Sequence, residues 1–322
     1  MKTELIPPWK VASIDIGTHT ILLLIAEWYG DNLKPLVDVE TIVRLGEGLH
    51  THQSLSEEAM DRGLQTLARF VERCQIAEVQ TIFAVGTNVL REARNAAEFV
   101  RRARERLGLS IEVISGEEEA FYSFLAVTKD LGKVKKRVLV VDVGGGSTEF
   151  TLGMGGQVER WMSLPLGAVR CTEQFLHSDP VQKEESQAME RKIHENLANI
   201  PRVLNPVSMV LVGGTATTLA SVDQGLEKFT FEKIHHFVLS KEALRDQLFL
   251  YRSKTIEERK TIRGLSPARA DIILAGSTIL YLAMEELDCP SAIVSCHGVR
   301  YGVLYERLGK DKSLVRKPGL LI

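Results

Sequence analysis

Two short segments of the sequence place an aspartate just before a turn of small residues. They begin at Asp15 and Asp142, and each turn contains glycine with serine or threonine. Such turns offer backbone N–H groups and hydroxyls to a phosphate without side-chain bulk. A carboxylate repels phosphate unless a Mg²⁺ ion lies between the two. The pattern therefore predicts two phosphate-binding loops with a divalent cation.

A third turn of this kind, Gly213-Gly214-Thr215, follows another apolar run. One such turn alone is more simply explained as a hairpin turn with aspartate in a favoured position. Two matched turns about one domain apart, and this third one, favour phosphate binding instead. The sequence contains neither the P-loop pattern nor GxGxxG, which excludes the Walker and Rossmann classes.

The composition is that of an ordinary globular protein. Of the 322 residues, 44% are hydrophobic and 25% are charged, which excludes disordered, collagenous and coiled-coil chains. This length suggests about two domains. The formal net charge of −2 predicts no nucleic-acid partner, so any polyanion must be held by a local patch.

The cysteine pattern and the hydropathy indicate the compartment. Four cysteines without a CxxC motif predict a reduced, cytoplasmic protein rather than a zinc ribbon or a disulfide framework. The most continuous apolar run, residues 21–26, is far shorter than the ~20 residues needed to cross a bilayer. The first ten residues do not resemble a signal peptide, so we expect a soluble protein with no membrane partner.

Hydrophobic periodicity predicts an α/β protein in which one arrangement occurs twice. In the first half we predict strands at residues 11–17, 21–28, 36–44, 79–85 and 111–114, and helices at 56–76, 88–107 and 115–127. The last helix opens with Ser115 and Glu118 at the S-x-x-E spacing of a capping box.

The second half repeats the three-strand pattern after a polar, basic segment at residues 131–137. Strands are predicted at 138–144, 149–152, 157–164, 207–212 and 292–295, and helices at 168–176, 181–200, after 215, at 266–286 and at 298–308. The predicted domains are residues 1–130 and 131–302, with a terminal helix in 303–322. The sequence leaves open whether that helix packs back on the first domain.

Longer motifs resemble those of a known family. IDIGTHT, VVDVGGGSTEF and VGGTATTLA are similar to the phosphate and nucleotide loops of the actin/sugar-kinase/Hsp70 superfamily. AVGTNVLREARN, VISGEEEA, GLSPARADIILAG and VSCHGVRYGVLYE resemble the exopolyphosphatase/guanosine pentaphosphate phosphohydrolase (Ppx/GppA) family in its short two-domain form. The resemblance implies two related actin-like (ribonuclease H-like) domains, each a mixed five-stranded sheet with flanking helices, and a cleft between them.

The resemblance also implies an activity. It implies a hydrolase that depends on Mg²⁺, with Mn²⁺ as an alternative to it. The expected substrates are inorganic polyphosphate or guanosine pentaphosphate (pppGpp), the nucleotide of the stringent response. The products would be terminal phosphate from the polymer, or the 5′-phosphate of the nucleotide. Hydrolysis of a phosphoanhydride needs a positioned water, a base and positive charge against the phosphate oxygens. A homodimer is expected at the level of the family.

Site residues follow from the same resemblance. It implies Glu119 as the catalytic base, although the helix dipole alone explains acids in a first helical turn. Asp142 and Glu149 are implied to organise metal and water, with Asp15 as their counterpart in the first domain. The implied phosphate contacts are Asp15, Gly17, Thr18, His19, Asn88, Arg91, Gly144, Gly145, Gly146, Ser147, Thr148, Gly213, Gly214, Thr215, Arg269 and Arg300.

Some of these positions stay open. Arg269 and Arg300 fit either a ligand contact or a structural ion pair. Leu22 stands where most family members have arginine, and His19 stands where asparagine is usual. A lost charge-assisted hydrogen bond is worth roughly 1.5–3 kcal/mol, so these two changes bear on substrate identity and affinity.

Two histidine-containing pairs are not predicted to act in catalysis or metal binding. Cys296, beside His297, lacks the activating neighbour that a thiol nucleophile needs. His235-His236 lacks the HExxH context of a zinc protease.

Two alternative functions are compatible with these motifs. One is an ATP-dependent kinase of the same superfamily, with Gly213–Thr215 near the adenosine. The other is a nucleotide- or polyphosphate-binding regulator with weakened catalysis, which Leu22 and His19 favour. The presence of Glu119, Asp142 and Glu149 together argues against the regulator.

Overall fold

The computed structural model describes residues 9–132, 136–198, 200 and 208–310. Two mixed β-sheets with flanking helices form its framework, which confirms the predicted fold class. Residues 133–135 of the basic segment and 311–322 of the terminal segment lie outside the described residues. Within the described part of the chain, no helix is long and apolar enough to span a bilayer.

The first sheet has five strands in the order β3-β2-β1-β4-β5. Three form an antiparallel meander: β1 (Trp9–Ile16), β2 (Thr20–Trp28) and β3 (Leu33–Ile42). Two continue the sheet in parallel: β4 (Thr81–Gly86) and β5 (Ile111–Val113). Its helices are α1 (Leu49–His52), α2 (Glu57–Ile76), α3 (Asn88–Glu92) and α4 (Ala96–Leu107).

The predicted helix over residues 88–107 is wrong in one respect, because the chain forms two helices there. Ala93 is extended, with ψ at 124°, and ends α3. The side chain of Asn95 holds the break, since it accepts from the amide of Leu55 at 2.8 Å and donates to the Leu55 carbonyl at 2.9 Å. A contact 40 residues away in the chain leaves no signal in helical periodicity.

The second sheet has six strands in the order β10-β11-β9-β6-β7-β8. β6 (Val138–Val143), β7 (Thr148–Met154) and β8 (Gln157–Leu164) repeat the meander. β9 (Ser208–Val212) and β11 (Ser291–Val294) run parallel to β6, and β10 (Val238–Ser240) pairs antiparallel with β11. The prediction of five strands missed β10, because three residues are too short to show alternation.

The helices of the second half pack mainly on one face of this sheet, and the last of them packs with β1 and β2 of the first sheet. They are α6 (Ala168–Phe175), α7 (Lys183–Leu197), α8 (Gly213–Asp223), α9 (Phe231–Ile234), α10 (Lys241–Arg252), α11 (Ile256–Arg259), α12 (Ile273–Glu286) and α13 (Val299–Lys310). The predicted helix start at Ser266-Pro267 is wrong, because Pro267–Arg269 forms only a 3₁₀ turn and α12 begins at Ile273.

One helix, α5 (Gly116–Leu131), lies between the two sheets. On one side Phe124 and Val127 pack against valines of β6 and β9. On the other side Ala126 packs with Tyr301 of α13, in a cluster that includes β1 and β2. Because this helix packs against elements of both domains, its first turn lies at the junction between them.

Candidate active site

The β6–β7 hairpin places two carboxylates side by side. Asp142 and Glu149 are directly opposite in the antiparallel register, so their side chains project from the same face, with Cβ atoms ~5 Å apart. The turn between the strands is closed by the amide of Gly144, which donates to the carbonyl of Ser147 at 3.0 Å. The hairpin therefore places the carboxylates of Asp142 and Glu149 next to each other.

Each of these two acids is held by a serine from a neighbouring element. Ser123 of α5 donates to Oδ2 of Asp142 at 2.7 Å, and Ser163 of β8 donates to Oε1 of Glu149 at 2.8 Å. Burial raises the pKa of both carboxyls, and for Glu149 the charges of Glu119 and Asp142 raise it further. Two buried acids with raised pKa values beside a third are typical of a functional site.

Glu119 reaches the same place from the first turn of α5. The helix start is fixed by a capping box in which Ser115 and Glu118 bond each other's backbone amides, so Glu118 serves the cap. Glu119, one residue deeper, is buried, and Nη1 of Arg91 lies 2.7 Å from its Oε2. That nitrogen also donates to the carbonyl of Ile114 at 2.9 Å.

The environment of Glu119 suits a base near neutral pH. Burial raises its pKa, the Arg91 charge opposes that rise, and the Asp142 charge adds to it, so that the pKa is about 7. A general base works best when its pKa lies near the working pH. The three acids and Arg91 thus form one electrostatic unit.

Asp15, at the end of β1, completes the group from the first domain. Its Oδ1 is buried and has no hydrogen-bond partner among the described residues. Burial is the largest cause of a pKa raised to about 8, followed by the charges of Glu119 and Asp142, while Arg300 opposes the rise. The charges of Glu119 and Asp142 act on Asp15, so Asp15 belongs to the same group of acids at the junction.

The two glycine-containing turns touch each other. A Cβ built on Gly145 would lie 2.9 Å from Cβ of Thr18, and one on Gly146 would lie 2.1 Å from Oδ1 of Asn88. The first turn is closed like the second, since the amide of Gly17 donates to the carbonyl of Thr20 at 2.9 Å. In this structure the glycines are thus required by contact between the domains, and phosphate binding at these turns stays a prediction.

A sequence model of the Ppx/GppA phosphatase family matches residues 24–311. The chain belongs to this family. The crystal structure of the Aquifex aeolicus Ppx/GppA family member is 33% identical, with a TM-score of 0.81, and the match covers 95% of this chain and 99% of that one.

Two further proteins are similar. An exopolyphosphatase from Cytophaga hutchinsonii is 28% identical, with a TM-score of 0.87 over 94% of this chain and 99% of that one. A protein of Fusobacterium nucleatum, named bifunctional 3-dehydroquinate synthase/phosphatase, is 35% identical over 309 residues. That match covers 92% of this chain but 46% of the relative, so this chain spans about half of its length.

Arg269 and Arg300, left open by the sequence, both form ion pairs. Nη2 of Arg269 lies 2.6 Å from Oε1 of Glu40, on β3 of the other domain. Arg300 makes two hydrogen bonds to Asp38, at 2.8 and 2.9 Å. Both residues therefore form structural ion pairs, and a phosphate contact by either of them stays a prediction.

The third turn lies against these groups. Gly213 has a φ of +89° and approaches Asp142, since a Cβ there would lie 2.9 Å from Oδ1. Gly214 leaves room for the guanidinium of Arg269, which would be 2.2 Å from an added Cβ, and Thr215 is buried. The turn thus packs beside the acid group as the start of α8.

His19 and Asn88 also lie at this junction. The imidazole of His19 is buried, and neither ring nitrogen has a hydrogen-bond partner among the described residues. Burial and the charges of Arg269 and Arg44 lower its pKa to about 4, so the ring is neutral at pH 7. Asn88 donates to Glu92 of its own helix at 3.1 Å.

Three residues at the site were missed by the sequence reasoning. Ser123 and Ser163 hold the acids, and Arg170 of α6 donates to the carbonyl of Gly146 at 2.7 Å and to Glu92 at 2.6 Å. None of them belongs to a turn or charge pattern. Ser163 alone carried a usable signal, because the predicted β7–β8 pairing puts it next to Glu149.

Proposed function

We propose that this chain is a phosphoanhydride hydrolase that releases terminal phosphate from inorganic polyphosphate or the 5′-phosphate of guanosine pentaphosphate. The observation that carries the proposal is the grouping of Glu119 with Asp15, Asp142 and Glu149 where the two domains meet. Membership of the Ppx/GppA phosphatase family supports the class of reaction. The name of the Cytophaga relative, an exopolyphosphatase, supports the polymer as one substrate.

In this proposal Glu119 accepts the proton of the attacking water at one of its carboxylate oxygens. Its position at the start of α5, between the two sheets, points it into the junction where both turns meet. Arg91 keeps part of the Glu119 population ionised near pH 7, because its charge opposes the effect of burial. Closure of the domains excludes bulk water, which strengthens every charge interaction inside the pocket.

The residues present fit a divalent cation. Asp15 offers a buried oxygen without a partner among the described residues, and burial raises the pKa values of Asp15, Asp142 and Glu149. A bound cation would stabilise the ionised forms of these acids. Carboxylate oxygens are the ligands that Mg²⁺ prefers. Asp142, Glu149 and Asp15 would hold the ion, with Mn²⁺ as a substitute, and the ion would neutralise charge on the phosphate oxygens.

Phosphate release by the purified chain tests this proposal. Polyphosphate, guanosine pentaphosphate and ATP are offered in parallel with Mg²⁺ and with Mn²⁺, to the wild type and to Glu119→Gln. We expect release from at least one of the first two, and a loss of about 10²–10⁴-fold in the variant. Glu117→Gln is the matched control, because Glu117 is exposed in the same helical turn.

The outcomes separate the alternative functions. Full activity of Glu119→Gln would remove its assigned role. Tight substrate binding by the wild type without release, under every metal tested, would instead identify a regulator. Transfer of the γ-phosphate of ATP to a small acceptor would identify a kinase.

A further inference from the structure

Three histidines and an aspartate meet at the far end of α5. Asp130 lies eleven residues after Glu119, so the two are ~16 Å apart along the helix. His235 and His236 follow α9, and His297 precedes α13. The cluster therefore joins α5 to two connections of the second domain.

The distances within the cluster are short. From Oδ2 of Asp130, Nε2 of His236 lies 2.7 Å away and Nε2 of His235 lies 3.2 Å away. From Oδ1 of the same residue, Nδ1 of His297 lies 3.6 Å away. A single carboxylate is thus surrounded by three imidazoles.

The rings that face Asp130 are held by packing. Phe231 stacks on His235 with ring centroids 4.7 Å apart, and Tyr301 stacks on His297 at 3.8 Å. The side chains of Asp130, His235 and His297 are 14%, 9% and 12% exposed, whereas His236 is 49% exposed. Asp130, His235 and His297 are therefore nearly buried, and His236 lies on the solvent side of the cluster.

The hydrogen bonds of the cluster leave one buried nitrogen, Nδ1 of His297, without a partner among the described residues. This nitrogen faces a carboxylate oxygen of Asp130. A separation of 3.6 Å is too long for a hydrogen bond. Two ligand atoms bound to one tetrahedral ion at ~2.0–2.2 Å lie ~3.3–3.6 Å apart, so the spacing suits a shared metal ion.

We propose that Asp130, His235 and His297 bind a transition-metal ion of the zinc class. Their ligand atoms lie within 4.8 Å of one another, and they provide two nitrogens and a carboxylate oxygen. Imidazole nitrogens select zinc, cobalt, nickel and copper over magnesium. The ion would fix the far end of the helix that carries Glu119, and His236 would orient Asp130 by its hydrogen bond.

One contact limits the affinity of this site. The amide of Cys296 donates to Nδ1 of His235 at 3.1 Å, which leaves the ring proton on Nε2, facing Asp130. An ion on Nε2 moves that proton to Nδ1, and the Cys296 amide must then turn away from the ring. We therefore expect weaker binding than at a site whose tautomer is already set for the metal.

Titration of the metal-free full-length chain with Zn²⁺, in excess Mg²⁺, tests the proposal by calorimetry. Thermal unfolding and the visible absorption of added Co²⁺ provide independent readouts. We expect one Zn²⁺ per chain, a higher midpoint of unfolding, and a cobalt spectrum with nitrogen ligands. His297→Phe should weaken binding at least tenfold, because it retains the aromatic stack on Tyr301 but removes the nitrogen.

His194→Gln, on an exposed face of α7, is the control and should bind as the wild type does. Retained binding in a variant with Asp15→Asn, Asp142→Asn and Glu149→Gln together excludes the acid group at the junction as the source of the signal. If the wild type does not bind Zn²⁺ at micromolar concentrations, or His297→Phe binds it equally well, the cluster is a hydrogen-bonded contact only. Asp130→Asn gives a second check, and unchanged binding there would also overturn the proposal.

Discussion

The two hairpins β1–β2 and β6–β7 have the same backbone and different chemistry. Each turn is closed by one hydrogen bond, from Gly17 to Thr20 at 2.9 Å and from Gly144 to Ser147 at 3.0 Å. Opposite Asp142 stands Glu149, but opposite Asp15 stands Leu22. A repeated fold thus carries a pair of acids in one copy and a single acid in the other.

The surroundings of the aspartates differ in the same way. Asp142 accepts a hydrogen bond from a serine, whereas Oδ1 of Asp15 has no partner within the described part of the chain. Each acid of the second hairpin therefore accepts at least one hydrogen bond from a serine. The first one presents a buried carboxylate oxygen that a proton, or a ligand such as a cation, would compensate.

Among the changes in the two hairpins, we expect the largest effect from replacing Glu149, the second acid of the β6–β7 hairpin, which has no counterpart in the β1–β2 hairpin. Glu149→Gln should lower phosphate release by about 10²–10³-fold, because it removes a charge from the pocket and retains the shape. Leu22→Gln is the matched change in the first hairpin and should alter the rate less than about threefold. Assays of both variants at saturating substrate make the comparison, and equal losses would show that the hairpins do not differ in function.

Asp15→Asn should change how stability depends on pH. The folded-state pKa is raised from 3.8 to about 8, so the metal-free wild type loses stability as pH rises between these values. The variant lacks the Asp15 contribution to this loss, although Glu119, Asp142 and Glu149 retain theirs. At pH 8 its free energy of unfolding should therefore exceed that of the wild type by a few kcal/mol. Urea unfolding at pH 5 and pH 8 measures this difference.

The control for that experiment is a conservative change at an exposed acid, Asp61→Asn, which should leave the pH dependence unaltered. Added Mg²⁺ should raise the stability of the wild type at pH 8 more than that of Asp15→Asn. A variant that loses stability with pH as steeply as the wild type would show that Asp15 is ionised without strain in the folded protein.

Because the two turns touch each other, substitution of their glycines should affect stability to different extents. Gly146→Ala places a methyl group 2.1 Å from Asn88 and should destabilise the closed arrangement by about 1–3 kcal/mol. Gly17→Ala in the first turn approaches only the Thr20 carbonyl, at 3.2 Å, and should have the smaller effect. Thermal unfolding compares them, with Gly298→Ala as a control, since nothing lies within 4 Å of a Cβ there.

Local sequence was sufficient for the features that depend on neighbours in the chain. The matched turns, the strands beside them and the capping box of Ser115 and Glu118 follow from periodicity and from residues three positions apart. Their position also placed Asp142 and Glu149 on either side of one turn. The fold class and the hairpin that carries the acid pair could therefore be predicted.

Contacts between distant segments could not be predicted in this way. Arg269 pairs with Glu40, 229 positions away, and a charge on a single sequence does not reveal its partner. The same holds for Asp130, which meets His297 only after both domains have folded. The spacing of His235 along the chain does not reveal that Asp130 of α5 lies 3.2 Å from its Nε2.

We expect the smallest effect from adding a charge to the first hairpin. Leu22→Arg introduces a cation opposite Asp15, at the position where the family resemblance implies arginine. The new guanidinium should lower the pKa of Asp15 and add a charge-assisted contact to an anionic substrate. Such a bond is worth roughly 1.5–3 kcal/mol when made, so we expect KM to fall by about tenfold.

Steady-state kinetics of Leu22→Arg with polyphosphate and guanosine pentaphosphate measure this change, with Leu22→Met as the uncharged control of similar size. A lower KM for only one of the two substrates would identify the ligand that the first hairpin contacts. An unchanged KM for both would mean that Asp15 neutralises the new charge. The first hairpin would then act through its aspartate alone, and the difference between the hairpins would lie in metal binding rather than in substrate recognition.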